Sequence, residues 1–208
     1  MYHQAAYAEN DIAVLHDCMR QWSFATLVTS GPDGIQSTPL PFLLDADAGP
    51  RGTLTTHLSL GNPIVADLRR GAEVLVIFQG PHAFISPSWY VEQMTFPTWN
   101  YTLVHARGKP TLKEGEADVM AVLRRTVACY DTPLGGVWDF EKIPMSFTGT
   151  RLPRIAAIEI PIDTLEGKLK LNQDKSVADR RGVIAQLERG DGNARGVAEL
   201  IRRQRDMA

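Results

Sequence analysis

Short strand-like runs broken by tight turns, with few helical patterns between them, are the feature that most constrains the fold of this chain. Phe24–Thr29 reads as a strand, Gly31-Pro-Asp-Gly34 as a turn, and Gln36–Leu44 as the returning strand. Thr53–Leu58, Glu73–Gln79, Ala83–Ser86, Thr98–Arg107, Ile155–Ile160 and Thr164–Leu171 follow as further strand patterns. Gly80-Pro-His82 is expected to turn the chain between two of them. Pro39 and Pro41 cannot donate to a ladder, so the second strand belongs at an edge or a bulge. Strands this short and this closely turned cannot be joined by parallel crossovers, which favours an antiparallel barrel of six to eight strands.

Helical patterns are peripheral to this set. Asp11–Gln21 has Ile12, Leu15 and Met19 on one face. Pro63 suits the first position of a short helix over Ile64–Arg70. Glu114–Cys129 places Val119, Val122, Leu123 and Thr126 together, and Asp131–Gly149 reads as irregular or weakly helical, its Pro and Gly favouring a loop region. Two helices close the chain at about Val177–Arg189 and Ala194–Arg205, separated by Gly190-Asp-Gly192.

The chain has 208 residues, 44% hydrophobic and 22% charged, the composition of a globular protein. The expected organisation is a barrel over 1–174 with a helical appendage over 175–208. No apolar run approaches the ~20 residues that span a bilayer, and no basic-then-apolar leader is visible, so no membrane partner is expected. Cys18 and Cys129 lack C-x-x-C spacing, which points to a reducing cytoplasm. The net charge of −2 gives no overall nucleic-acid footprint, although 175–208 holds eight Lys/Arg against five Asp/Glu.

Several chemistries are excluded by their missing motifs. No G-x-G-x-x-G follows a strand, and there is no phosphate loop of the G-x-x-x-x-G-K-[ST] kind, no H-E-x-x-H and no G-x-S-x-G. His3, His16, His57, His82 and His105 have no metal-ligand spacing, so no metal site is expected.

Four constellations remain. Gly80-Pro-His-Ala-Phe-Ile-Ser-Pro-Ser-Trp-Tyr90 is either a rigid aromatic turn or one wall of a flat-ligand site. In Phe96-Pro-Thr-Trp-Asn-Tyr101, Trp99 and Tyr101 share a strand face and Asn100 takes the other. A strand tryptophan is usually core, yet Trp89 and Trp99 lie close enough to suggest a ligand or interface platform. Thr55, His57 and Ser59 alternate along a strand that runs into Gly61-Asn-Pro63. That helix start suits either capping by Asn62 or an anion at the free N–H groups. Lys168 and Lys170 share one strand face, as a solvated edge or as a cationic strip for phosphate.

Taken together, these segments resemble the PaiB-type FMN-binding negative transcriptional regulators, a family of the FMN-binding split-barrel superfamily that includes pyridoxamine phosphate oxidases. The resemblance is carried by Met1-Tyr2, Thr38-Pro-Leu-Pro41, His57 with Asn62-Pro63, and Phe78-Gln-Gly-Pro-His82. It continues through Ile85-Ser-Pro-Ser-Trp-Tyr90, Pro97-Thr-Trp-Asn-Tyr101 and Gly167-Lys-Leu-Lys170 to Gln173. It implies a mainly β, α+β split barrel with peripheral helices and a C-terminal helix pair. It further implies a homodimer with FMN in clefts at the dimer interface. Ser59 and Asn62 would lie nearest the phosphate, and Thr55, Thr56 and His57 nearer the ring. Trp89, Tyr90, Trp99 and Asn100 would complete the cleft, with Lys168, Lys170 and Gln173 as further candidates. One departure matters: Leu60 stands where the family commonly has arginine, leaving the implied phosphate site a cation short. A charge-assisted pair of that kind is worth about 1.5–3 kcal/mol. Asp174 replaces the usual asparagine.

Two functions fit. The family implies a flavin-binding regulator, with DNA as a partner through the tail arginines Arg202, Arg203 and Arg205 or with regulation relayed indirectly. The alternative is an FMN-dependent oxidoreductase or flavin reductase, in which His57 and His82 are the candidate proton donors. A split-barrel dimer without flavin is the bland third reading.

Overall fold

A computed structural model describes residues 1–2 and 4–204. The described residues are α+β, with ten strands in two antiparallel sheets. It divides into two compact units. The first comprises Met1–Leu15, Gln79–Val104 and Glu166–Ala208, and the second His16–Phe78 and His105–Leu165.

In the second unit, strands β2 (Phe24–Gly31) and β3 (Gly34–Pro41) form a hairpin in register Leu27↔Thr38. The β2 strand also pairs with β6 (Val74–Ile85), Leu27 opposite Val76. β3 ends its sheet, so Pro39 and Pro41 fall on an edge strand as expected, where their missing N–H groups interrupt no central ladder. The other sheet runs β4 (Leu43–Asp45), β5 (Thr53–Ser59), β9 (Ile155–Pro161) and β8 (Thr111–Lys113). Leu27, Leu54, Val76, Phe78, Ile158 and Ile160 are almost fully buried. Phe42 meets Phe78 edge to face at 5.8 Å between ring centroids. Helix α1 (Ile12–Gln21) begins in the first unit and ends in the second; α2 (Val65–Arg69), α3 (Glu116–Tyr130) and α4 (Met145–Arg151) complete the second unit. Under α2, the buried Asp67 carboxylate accepts the Thr29 hydroxyl at 2.6 Å and is paired with Arg70. The Thr29 bond, helped by Arg70, holds that carboxyl below the usual range.

In the first unit, β1 (Ala8–Glu9) pairs with β10 (Thr164–Lys170). The order continues from β10 to β7 (Thr98–Gly108) and β6. Helices α5 (Val177–Leu187) and α6 (Gly192–Arg202) share an apolar core with this sheet. Val183, Ile184, Leu187, Val197, Ala198 and Ile201 pack there with Ala83, Ile85 and Tyr90. Two glycines permit the close approach. A Cβ on Gly182 would strike the Trp89 carbonyl, and one on Gly196 would lie 2.8 Å from Pro81. Ser176 and Asp191 cap the two helices, accepting from the N–H groups of Asp179 and Ala194.

Several local expectations are corrected. Gly80-Pro-His82 does not turn the chain, because β6 runs unbroken from Val74 to Ile85. Gly80 does not adopt the positive φ that a turn would exploit. The strand count exceeds eight because β1, β4 and β8 span only two or three residues each, too short for a periodic signal. Asp131–Gly149 takes the weakly helical of its two readings, with short helical turns that lead into α4. On α1, Leu15 and Met19 are buried but Ile12 is exposed. On β7, Trp99 and Tyr101 do share a face, but the core lies on the other one, with Asn100, Thr102, Val104 and Ala106. Trp99 is 53% exposed and is not a core residue.

Candidate functional site

The candidate residues fall into two groups, one in each unit. In the second unit, Thr55, Thr56, His57 and Ser59 lie along β5. Thr55 and Thr56 are both buried, on opposite faces of a strand flanked by β4 and β9. The Thr56 hydroxyl donates to the Pro41 carbonyl at 2.6 Å. His57 is half-buried, and its Nδ1 is buried with no hydrogen-bond partner. Burial pushes its pKa below the usual value, so the ring is neutral at pH 7.

The turn after β5 is built from side-chain bonds. Gly61 N–H donates to Ser59 Oγ at 3.2 Å, and Asn62 N–H to the Ser59 carbonyl at 3.0 Å. Asn62 Oδ1 accepts from Ile64 N–H at 3.1 Å, while its Nδ2 donates to Thr38 Oγ1 at 3.2 Å. Asn62 thus braces the turn ahead of the helix, whose own N-cap is Ile64 and which spans only five residues. Leu60 N–H donates to the Arg154 carbonyl at 2.8 Å. The arginines of α2 are engaged by carboxylates, Arg69 by Glu114 at 2.8 Å and Arg70 by Asp67.

The first-unit residues separate into three places. Tyr90, Asn100 and Lys170 line a cavity of about 220 Å³ together with Tyr7, Phe96, Asn172 and Lys175. Asn100 is 0% exposed; its Nδ2 donates to Asn172 Oδ1. Asn172 Nδ2 donates in turn to the Tyr90 hydroxyl at 2.6 Å. Lys170 Nζ donates to Thr98 Oγ1. Burial, with the Asp174 carboxylate nearby, pushes Tyr7 up to about 12, and burial also raises Tyr90, so both hydroxyls stay protonated.

Trp89 and Trp99 line a wider groove of about 490 Å³, with His82, Phe84 and the α5–α6 turn. Phe84 meets Trp99 edge to face at 6.2 Å, and His82 lies at 6.1 Å from Trp99. Lys168 and Gln173 sit apart from both places. Lys168 is buried, its Nζ 3.3 Å from the Tyr2 carbonyl and 5.2 Å from the Tyr2 ring. Gln173 braces the turn after β10, accepting from Leu171 N–H at 2.7 Å and donating to the Leu169 carbonyl.

Four contributors carry no sequence signal strong enough to single them out. Asn172 has φ +63°, a left-handed conformation that asparagine tolerates. Tyr7 and Lys175 reach the cavity from chain segments far apart in sequence. Asp179 is buried and accepts from Val91 N–H at 2.7 Å and Glu92 N–H at 3.3 Å, fixing the loop that follows Tyr90. The Ser176 hydroxyl, then these N–H groups, hold its carboxyl below the usual range.

The fold is that of an FMN-binding split barrel. Residues 1–164 match the family model described as "Putative FMN-binding domain". The chain belongs to that FMN-binding family, on its PaiB-type branch. It is 32% identical over 183 residues to the "Protease synthase and sporulation protein PAI 2" of Bacillus subtilis, covering 86% of each chain. An uncharacterised protein of Emericella nidulans is 29% identical over 251 residues, covering all of this chain and 98% of its own. Two solved structures share the fold at low identity. The "FAD and Heme binding protein" of Mycobacterium smegmatis superposes with a TM-score of 0.57 at 16% identity, over 83% of this chain and 78% of that one. The "Flavocytochrome Anf3" of Azotobacter vinelandii gives 0.58 at 14% identity, over 81% and 72%.

FMN is thus the cofactor of this chain, and its residues suit a flavin. His57 Nδ1 is a buried polar atom without a protein partner beside the threonines of β5. The groove of Trp89 and Trp99 offers an aromatic wall of the size that ring-bearing ligands occupy, roughly 300–1,000 Å³. Among the described residues, no helix is long and apolar enough to cross a membrane.

Proposed function

We propose that this protein is a homodimeric FMN-binding regulator of PaiB type that acts through its flavin rather than by gripping DNA directly. Bound FMN supplies reversible one- and two-electron redox chemistry. Ser59 and Asn62 would hold its phosphate end, and Thr55, Thr56 and His57 its ring end. Trp89 and Trp99 would give the ring an aromatic wall, contributed by the partner copy in the dimer.

The observation that carries the indirect route is the state of the C-terminal arginines. Arg202 is paired with Glu188 and lies 3.6 Å from Glu199, and Arg203 is 3.0 Å from Glu199. Arg205 lies outside the described residues. Cations already engaged by carboxylates release fewer counterions on meeting a phosphate backbone. The net charge of −2 adds no overall attraction for a phosphate backbone.

Three measurements test the reading. Flavin titration of the purified chain should show FMN uptake at about one per chain, and a chain that takes up none overturns the proposal. Sedimentation should give a dimer. Duplex DNA retention should be weak and unchanged by neutralising Arg202 and Arg203; tight retention lost on that change would favour a direct repressor. Anaerobic bleaching of the flavin by NAD(P)H with turnover of a small molecule would instead favour the oxidoreductase reading.

A further inference from the structure

The loop that follows Tyr90 is held in place by a group its own sequence does not supply. Within residues 91–97 the side chains of Val91, Met94 and Phe96 are exposed, so their burial does not anchor the segment. Met94 N–H donates to Glu92 Oε1 and Thr95 N–H to the Gln93 carbonyl, bonds that stay inside the loop. The Asp179 carboxylate ties the loop to helix α5. Its Oδ1 accepts from Val91 N–H at 2.7 Å and from Glu92 N–H at 3.3 Å.

The same helix meets Trp89. Asp179 and Gly182 stand at i and i+3 on α5, so they share one of its faces. A Cβ on Gly182 would lie 2.2 Å from the Trp89 carbonyl oxygen. The face of α5 therefore meets the chain on both sides of Tyr90, at the Trp89 carbonyl and at the next two N–H groups. Trp89 also packs against the apolar core that α5 and α6 share.

Capping of the helix does not account for the acid at position 179. Ser176 Oγ caps α5 by accepting from the Asp179 backbone N–H at 3.1 Å, which any residue at 179 could donate. Burying a carboxylate is costly unless its oxygens are bonded. Asp179 is buried; one oxygen accepts the Ser176 hydroxyl at 2.8 Å, and the other serves the loop. Ser176, Asp179 and Gly182 all lie beyond residues 1–164, the part that matches the FMN-binding domain.

We propose that Asp179 is a positioning residue for the flavin, fixing the backbone of residues 89–92 so that Trp89 stands as the aromatic wall. The proposal rests on the reading above in which Trp89 walls the flavin. Asp179 acts through the loop, and the C-terminal helix pair thereby gains a task at the cofactor site.

The test is a double-mutant cycle on the full chain, read by fluorescence titration with FMN. Trp89→Ala and Asp179→Ala should each weaken FMN binding about tenfold. In the Trp89→Ala background the Asp179 change should weaken it no further, because the two residues act as one. Asp179→Asn keeps an oxygen for the loop N–H groups and should recover most of the affinity. Ser176→Ala removes the cap of α5 and should lower Tm by about 2–4 °C with FMN affinity unchanged. A merely structural Asp179 would give that same result. Because Asp179 is buried and its alanine variant can misfold, hydrogen exchange on the unaltered chain gives a second measurement. Val91 N–H should exchange about tenfold or more slowly than Gln93 N–H. Unchanged FMN affinity in Asp179→Ala, additive losses in the cycle, or equal exchange at Val91 and Gln93 would each overturn the assignment and leave Trp89 as the wall. FMN affinity unmoved by Trp89→Ala would instead overturn the reading of the wall, and the role of Asp179 with it.

Discussion

Two asparagines show why residue type alone does not make a ligand site. Asn62 stands after β5 in the second unit and has both ends of its amide used, one on Ile64 N–H and one on Thr38 Oγ1. Asn100 stands on β7 in the first unit, fully buried, with one end used and the other open. A saturated amide builds the fold around it. An amide left half satisfied, and shut away from water, gives the fold only part of what it could. The same contrast separates Thr56, whose hydroxyl is spent on Pro41, from His57, whose Nδ1 is buried without a partner.

The contrast can be broken or sharpened by substitution. The largest effect is expected at the cation-poor turn. Leu60→Arg should tighten FMN binding about 10- to 150-fold, the equivalent of a charge-assisted pair of about 1.5–3 kcal/mol. Fluorescence titration of the flavin measures this, and unchanged affinity would mean that no phosphate lies within reach of position 60. Next comes Asn100→Leu, which strands the Asn172 amide and should cost about 1–3 kcal/mol in urea unfolding. A neutral result would show that Asn100 contributes nothing to the fold.

Asn62→Ala removes two side-chain hydrogen bonds of the turn, and should cost about 1 kcal/mol and lower Tm by about 2–4 °C. If Asn62 contacted flavin as its main role, the loss would appear in FMN affinity and not in the ligand-free melting curve. His57 contributes a pH dependence of definite sign. Its native pKa lies below the usual 6.5, so the unfolded chain takes the proton first. Stability is full above about pH 6.5 and falls as pH drops through the native pKa. His57→Gln should flatten that part of the profile. The smallest effect belongs to the tail: Arg202→Gln with Arg203→Gln removes exposed ion pairs worth about 0–1 kcal/mol. Melting temperature should barely move.

Much of the architecture was legible from local pattern. The hairpin around Gly31–Gly34, the edge position of Pro39 and Pro41, the central run of β6 and the C-terminal helix pair all follow from turn residues, missing donors and periodicity. These are short-range effects, which a linear sequence carries directly. Gly80-Pro-His82 misled because a turn signal is only a permission. With Thr102 of β7 donating to the Pro81 carbonyl at 3.4 Å and Gly196 of α6 close against Pro81, the neighbours kept the segment extended.

Site chemistry divided in the same way. The candidate residues (Thr55, His57, Trp89, Tyr90, Trp99, Asn100 and Lys170) could be named from their strings. Which face of β7 met the core could not, because alternation assigns two faces without saying which is buried. Trp99 proved exposed and Asn100 buried. Nor could sequence separate the tryptophan groove from the smaller cavity, or bring Tyr7, Asn172 and Lys175 to the latter. Those groups converge across separations of 82 residues between Tyr90 and Asn172 and 72 between Asn100 and Asn172. The sequence by itself determined the strand-rich, turn-punctuated fold and its flavin family. Only the tertiary structure decided which polar atoms were already spent, because a hydrogen bond is used up by whatever neighbour folding brings to it.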